Sequence, residues 1–173
     1  MSTLHVPVTP QDHIQGSPDA RIVLVEYGDY QCPHCGHANP IIKRVQNHFG
    51  KELAFVFRNF PLNQIHEEAE DAAEAAEFAG AKGVFWEMHD AIFENQEMLG
   101  VALLEELAEK LGLAPADLTA ALEQNTYTER VKADFMGGVR SGVNGTPTFF
   151  INGQRHDGAF EYDDLVMAIE AAG

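Results

Sequence analysis

Cys32 and Cys35 are the only cysteines of this chain, and they lie at a sharp change of sequence pattern. Before them, the apolar, β-branched run at residues 22–25 predicts a buried strand. After them, apolar residues recur at helical spacing until Gly50 ends the run. The segment 29–37, DYQCPHCGH, therefore opens a helix directly after a strand. At that position the helix dipole and the unpaired backbone N–H groups can stabilise a thiolate.

Pro33 indicates that the cysteine pair carries out redox chemistry. Proline fits the first turn of a helix, because its missing N–H would have no partner there and its φ is already helical. This places Cys32 at the helix cap and Cys35 one turn later, so that the two sulfurs can close a disulfide. We expect the Cys32 sulfur to be exposed and to act as the nucleophile, and Cys35 to resolve the mixed disulfide.

His34 lies between the two cysteines and predicts a reactive Cys32. A protonated imidazole nearby lowers the pKa of the attacking thiol, as the helix N-terminus also does. A lower pKa stabilises the reduced form and makes the disulfide a stronger oxidant. We therefore predict that the pair is relatively oxidising.

Two other interpretations of the motif stay open. The cysteines could be structural residues that happen to lie close together, or Cys32 and Cys35 could bind zinc with His34 or His37. A structural zinc site usually takes four ligands from two separated pairs, and the sequence has no second cysteine pair. A CxxC beside a strand–helix pattern favours redox chemistry, so we predict no metal and no cofactor.

The net charge of −16 makes nucleic acid and anionic membrane surfaces unfavourable partners. The charge is concentrated in residues 62–127, which hold 15 Asp and Glu against 2 Lys and Arg. We interpret this segment as a solubilising face, although it could also select a basic partner.

No apolar run approaches the length of about 20 residues that a membrane-spanning helix needs, which predicts no membrane insertion. The first residues, MSTLHVP, lack the basic and apolar regions of a leader. We therefore expect a cytoplasmic protein, or a periplasmic or extracytoplasmic one if a leader has been removed. No dimerisation arm is evident, and we expect a monomer.

The order of the elements predicts an α/β chain. A second strand at residues 53–57 follows the first helix, and a strand–helix–strand unit implies a parallel pair. Residues 1–20 predict an extended arm, in which Leu4, Val6 and Val8 alternate and could add an edge strand.

Four helical patterns rich in Ala, Glu and Leu fill residues 62–127. We interpret His66 and His89 in this block as ordinary helix or core histidines rather than metal ligands. The remaining elements are a helical stretch at 127–139, a strand at 148–151, a hairpin turn at Asn152-Gly153, a return strand at 154–156 and a final helix at 162–172.

Glu26 lies at the end of the first strand, six residues before Cys32. A carboxyl at this position could be buried under the cysteine motif, and desolvation would then raise its pKa. It could relay a proton to or from Cys35. Exposure of Glu26 to solvent is the alternative.

Taken together, these motifs resemble the DsbA-type thiol–disulfide oxidoreductases of the thioredoxin superfamily, over about residues 20–172. The resemblance depends on Cys-Pro-His-Cys at a helix start, an inserted helical block, and the sequence GTPTF before a hairpin and a last helix. It implies a thioredoxin fold, with a central mixed sheet flanked by helices. Residues 1–61 and 128–173 would form the thioredoxin-like domain, and 62–127 the inserted helical subdomain.

The resemblance also implies roles for individual residues. Pro147 would be a cis-proline lying against the CxxC, and the backbone of Thr146 would pair with a bound peptide and tune the redox poise. Glu26 would be the buried acid of the family, Cys32 the nucleophile and Cys35 the resolving thiol. The segments DHIQG and VEYGD are more similar to the DsbA-like proteins and domains that are cytoplasmic or fused to antiporters.

The leading hypothesis is disulfide exchange with polypeptide thiols or disulfides, served by a redox partner that the sequence does not identify. A disulfide isomerase ranks lower, since it often needs a dimer with a shared cleft. A glutathione-using relative of the kappa-transferase type tends to replace the second cysteine, and Cys35 is present. A redox sensor or binding module, in which the Cys32–Cys35 disulfide switches partner affinity, stays open as the non-enzymatic alternative.

Overall fold

The computed structural model describes residues 2–173 and contains a mixed five-stranded sheet with helices on both faces. Met1, the first residue of the predicted arm, lies outside the described residues. The strands are β1 (His13–Gln15), β2 (Ile22–Gly28), β3 (Leu53–Asn59), β4 (Thr148–Ile151) and β5 (Gln154–His156), in the spatial order β1-β3-β2-β4-β5. The predicted central mixed sheet is confirmed.

The centre of the sheet is β2, which pairs in parallel with β3 and antiparallel with β4. Its register places Glu26 opposite Phe57 on one side and Phe149 on the other. Strands covered on both faces read as continuous apolar runs. This explains why residues 22–25 showed no apolar–polar alternation in the sequence.

Seven α-helices complete the described part of the chain. They are α1 (Pro33–Phe49), α2 (Ala69–Ala81), α3 (Phe85–Glu94), α4 (Val101–Lys110), α5 (Pro115–Glu123), α6 (Thr128–Arg140) and α7 (Tyr162–Ala172). The first helix ends at Gly50, whose φ of +56° belongs to the left-handed region that glycine tolerates. No helix within residues 2–173 is long and apolar enough to cross a membrane.

The sheet separates two apolar cores. Successive residues of a strand face opposite sides, so Ile22 and Leu24 lie in the core formed with α1 and α2–α5, and Val25 and Tyr27 lie in the other core. Glu26 has the same parity as Leu24 and therefore faces α1. The strand thus carries one carboxyl into the core that lies beneath the cysteine motif.

No strand forms at Leu4, Val6 and Val8. Residues 2–4 only touch the sheet at the edge strand β5, where Thr3 forms an isolated bridge with Gln154, the N–H of Leu4 donates to the carbonyl of Gly153 at 2.8 Å and the carbonyl of Ser2 accepts the N–H of Arg155 at 3.0 Å. The carbonyl of Val6 instead accepts a hydrogen bond from the Arg58 guanidinium, at 2.8 Å. The arm is thus held by a short backbone pairing with β5 at residues 2–4 and by the buried Arg58 side chain farther along.

The helices α2–α5 fall within residues 62–127 and share the larger core with the sheet and α1. Ala72, Ala73 and Ala76 of α2 are buried, as their spacing predicted. Two acids of the same helix, Glu74 and Glu77, are also buried, which its apolar spacing did not indicate. The division of the chain at residues 61 and 128 stays a prediction.

Candidate active site

The cysteine motif occupies the turn between the end of β2 and the start of α1. Cys32 is the N-cap residue, with extended φ and ψ of −70° and 121°, and Pro33 is the first helical residue. The carbonyl of Cys32 accepts the N–H of Gly36 at 3.1 Å, which closes the first turn. The cysteines therefore lie where the proline predicted them, at the cap and one turn into the helix.

The loop before β4 crosses this turn. The Thr146–Pro147 peptide bond is cis. The Cys32 Sγ lies 3.6 Å from the carbonyl oxygen of Thr146, so two segments 114 residues apart in sequence meet at the sulfur. The Thr146 Oγ1 is buried and has no hydrogen-bond partner within residues 2–173. This loop supplies one wall of the site.

The prediction of an exposed Cys32 sulfur is wrong. Only 4% of Cys32 is accessible to solvent. The cause is tertiary: the Thr146 carbonyl lies against the sulfur from the opposite segment. Cys32 is therefore nearly covered in this structure.

The pKa of Cys32 falls from its ordinary value of 9.0 to about 5, although burial opposes this. The largest cause is a hydrogen bond from the Cys35 thiol, and the backbone N–H groups of Cys35 and His34 add to it. A thiolate surrounded by donors is stabilised relative to the thiol. Cys32 is thus ionised at neutral pH.

Cys35 is fully buried, and its pKa is well above the ordinary value, first because of desolvation. The hydrogen bond that it donates to Cys32 and the charge of Glu26 act in the same direction. Its Sγ accepts one hydrogen bond, from the Asp29 N–H at 3.4 Å. Both cysteines are free thiols in this structure, but the pKa of Cys32 is lowered and the pKa of Cys35 is raised.

Glu26 is 3% exposed, and its pKa is raised from 4.5 to about 8. Burial is the largest cause, and the charge on Cys32 is the second. Its Oε2 is buried without a hydrogen-bond partner among the described residues. The solvent-exposed alternative for Glu26 is therefore wrong, and the carboxyl is electrostatically coupled to both sulfurs.

Pro33 and His34 both face solvent. The position of His34 between the cysteines predicted that its imidazole lowers the pKa of Cys32. In the structure, residue 34 contributes through its backbone N–H. The helix start itself, rather than the imidazole, carries this part of the stabilisation.

Asp29 organises the turn and was not identified from the sequence. Its Oδ1 accepts the N–H groups of Gln31 and Cys32, at 2.7 and 3.2 Å. Its Oδ2 accepts the N–H of Leu62 at 2.9 Å and lies 2.7 Å from Nδ1 of His66. An aspartate three residues before a helix cap is a recognised turn signal and could have indicated this role.

The two histidines of the helical block lie close to the motif. His66 pairs with Asp29, and Nδ1 of His89 lies 2.9 Å from the hydroxyl of Tyr30. His89 is buried among aromatic rings, and this burial lowers its pKa to about 3. Within residues 2–173 no three His, Cys, Asp or Glu side chains converge to form a possible metal site.

A groove of about 650 Å³ lies between residues 61–65, the first half of α6 and Asn144. It is lined by apolar side chains that include Leu62, Ile65, Val131 and Phe135, and by Asn144. Ile65 is 72% exposed. Two lining residues relate the groove to the motif: the N–H of Leu62 donates to Asp29 at 2.9 Å, and Asn144 lies two residues before Thr146.

Comparisons with known proteins agree with this architecture. The family model described as thioredoxin matches residues 8–171. BdbD from Bacillus subtilis, in its oxidised form, superposes with a TM-score of 0.88 at 26% identity, over 98% of this chain and 97% of that chain. A thioredoxin-like oxidoreductase from Silicibacter pomeroyi reaches 0.83 at 24% identity, over 95% and 93% of the two chains, which shows a likeness of fold. The predicted thioredoxin fold is confirmed.

The curated relatives carry a different name. The Na(+)/H(+) antiporter NhaA 1 of Mycobacterium sp. (strain KMS) is 42% identical over 172 residues, which cover 98% of this chain and 28% of the antiporter. The NhaA 1 of Salinispora arenicola is 41% identical over 170 residues, which cover 98% and 26%. The chain thus spans about a quarter of the length of the curated relatives that it matches.

Proposed function

This chain belongs to the thioredoxin family, and we propose that it is a DsbA-like thiol–disulfide oxidoreductase that exchanges disulfides with polypeptides through Cys32 and Cys35. The observation that carries the proposal is the lowered pKa of Cys32, about 5, at a helix start that faces the Thr146–Pro147 loop. A stabilised thiolate makes the reduced form favourable, so the disulfide acts as an oxidant.

In the oxidising direction, a substrate thiolate attacks Cys32 Sγ of the Cys32–Cys35 disulfide. The Cys35 sulfur leaves as a thiolate and takes a proton. A second substrate thiolate then attacks the substrate sulfur of the mixed disulfide and releases Cys32 as a thiolate. Two electrons pass from the substrate to the pair. Of the two substrate protons, one ends on Cys35 and the other goes to solvent.

Glu26 is the proposed proton donor to the Cys35 thiolate in the oxidising direction. In the reducing direction it would accept the proton of the Cys35 thiol. The raised pKa of Cys35 means that its thiolate takes up a proton readily. Glu26, with a pKa of about 8, is protonated at neutral pH and faces the same core. A buried acid whose pKa lies near the working pH is suited to proton transfer.

The Thr146–Pro147 loop and the apolar groove are the proposed binding surface for an extended polypeptide. The backbone of Thr146 would pair with the substrate chain beside Cys32. Exposed apolar side chains such as Ile65 offer contact for neighbouring substrate residues. This surface favours polypeptide thiols over small ones.

A redox-sensing domain is the second candidate. Two observations favour it: only 4% of Cys32 is exposed, and the curated relatives carry a matching segment within antiporter chains. In that case the disulfide would alter contact with one attached or bound protein rather than serve many substrates.

Trapping of mixed disulfides tests the two functions. Cys35→Ser leaves Cys32 without a resolving thiol, so complexes with thiol proteins persist. Several trapped proteins, released by reductant and absent with Cys32→Ser, would support the oxidoreductase. Capture of one defined partner would support the sensor. Absence of any trapped protein, despite a Cys32 that reacts with small disulfides, would refute the proposed exchange with polypeptides.

A further inference from the structure

The side chain of Gln96 joins the helical block to the cysteine motif. Gln96 lies in the connection between α3 and α4, and its Nε2 donates to the carbonyl of Tyr30 at 2.8 Å and to that of Cys32 at 2.9 Å. An amide NH₂ carries two hydrogens, so both bonds form at once. One side chain from a distant segment thereby spans the turn that ends at the nucleophile.

The start of α1 leaves room for this side chain. A Cβ at Gly36 would collide with Oε1 and Cδ of Gln96. The glycine one residue after Cys35 thus allows the amide to lie against the first helical turn. Neither the glycine nor the glutamine has a role in the exchange steps described above.

Further contacts show that the helical block fixes the whole turn. Asp29 pairs with His66, Tyr30 with His89, and the Gln31 side chain accepts the N–H of Glu68 at 2.7 Å. Each of the four residues 29–32 is therefore bonded to residues 62–127. Gln96 differs from the other donors because it holds the backbone of Cys32 itself.

We propose that Gln96 is a positioning residue for disulfide exchange, which holds the Cys32 carbonyl so that the sulfur points at its hydrogen-bond donors. The inference rests on the proposed function and assigns part of it to the helical block. The stability of the Cys32 thiolate depends on hydrogen bonds whose strength varies with direction. Their donors are the Cys35 thiol and the N–H groups of the first turn. A turn that is free to rotate loses that alignment.

The consequence differs between the two redox states. In the disulfide, the covalent bond to Cys35 holds Cys32 in place without Gln96. In the reduced form, only non-covalent contacts hold it. Loss of Gln96 therefore destabilises the reduced form more than the oxidised form. It raises the pKa of Cys32 and makes the disulfide a weaker oxidant.

The test compares Gln96→Ala and Gln96→Met with Asn95→Ala. Met keeps the approximate volume of Gln but has no N–H donor. Asn95 is the matched control, because its amide also bonds a backbone carbonyl, that of Ala91 at 2.8 Å, but does not touch the motif. For each variant we would measure the equilibrium constant for the disulfide against glutathione and the pKa of Cys32 by thiolate absorbance.

We expect both Gln96 variants to lower the equilibrium constant for oxidation of glutathione by about three- to tenfold, the effect of one or two lost hydrogen bonds, and to raise the pKa of Cys32. Asn95→Ala should leave both quantities unchanged. The inference is overturned if either Gln96 variant folds and keeps the wild-type values, or if Asn95→Ala shifts them equally. Both quantities are measured without a polypeptide substrate, so this result is independent of the trapping experiment.

Discussion

Replacement of Glu26 by Gln should stabilise the folded protein more at neutral pH than at acid pH. The carboxyl is 3% exposed, its Oε2 has no partner among residues 2–173, and its pKa in the folded protein is about 8. The ordinary value, which applies to the unfolded chain, is 4.5. The fold therefore holds Glu26 protonated over a pH range in which the unfolded chain ionises it.

The sign and size of the effect follow from this difference. Since the folded pKa is raised, the contribution of Glu26 to stability is fully present below pH 4.5 and is lost as the pH rises toward about 8. Each pKa unit corresponds to about 1.36 kcal/mol. Between pH 4.5 and about 7, Glu26 thus removes about 3 kcal/mol from the free energy of unfolding.

The assay is urea unfolding at these two pH values for the wild type, Glu26→Gln and the control Glu170→Gln, whose side chain is exposed in α7. The gain of Glu26→Gln over wild type should be larger at the higher pH by about 3 kcal/mol. The control should show no such change. In the oxidised form the difference should be smaller, because the charge of the Cys32 thiolate is then absent.

A difference below about 1 kcal/mol in the reduced protein would refute the reasoning. It would mean that Glu26 ionises in the folded state at nearly its ordinary pKa. The inference that burial keeps Glu26 protonated in the folded protein would then be wrong. The proposed proton transfer from Glu26 to Cys35 would fail with it.

Three further predictions concern the cysteine motif. At about pH 7, iodoacetamide should label Cys32 before Cys35 as read by mass spectrometry, and more slowly than an exposed thiolate of the same pKa; equal labelling of both would contradict the model of one reactive sulfur. Cys35→Ala should raise the pKa of Cys32, whereas Cys35→Ser should raise it less because it keeps a donor; identical thiolate titrations would exclude that hydrogen bond as the main cause. Gly36→Ala should weaken the disulfide as an oxidant, because the new Cβ displaces Gln96; an unchanged glutathione equilibrium would argue against that contact.

Much of the fold could be predicted because its signals are local. Pro33 and Gly50 mark the ends of α1, and the final helix begins and ends where its apolar spacing indicated. Asn152 and Gly153 both have positive φ, as the hairpin between β4 and β5 requires. In each case, the residues that determine the geometry are neighbours in sequence.

The features that the sequence did not predict depend on contacts between distant segments. The cover over Cys32 comes from Thr146, and no local pattern shows how closely that loop approaches. Gln96 is an unremarkable residue in a short turn until the fold brings it to Cys32. The alternation at Leu4, Val6 and Val8 was visible, but the partners that hold the arm, Arg58 and β5, lie far away in sequence.

The pH titration of the Cys32 thiolate in the reduced wild-type protein, with Cys32→Ser as the blank, tests the central claim most directly. The account predicts half-ionisation at a pH of about 5. A midpoint near the ordinary thiol value of 9.0 would contradict it, because the Cys35 thiol and the helix start would then not stabilise the Cys32 thiolate.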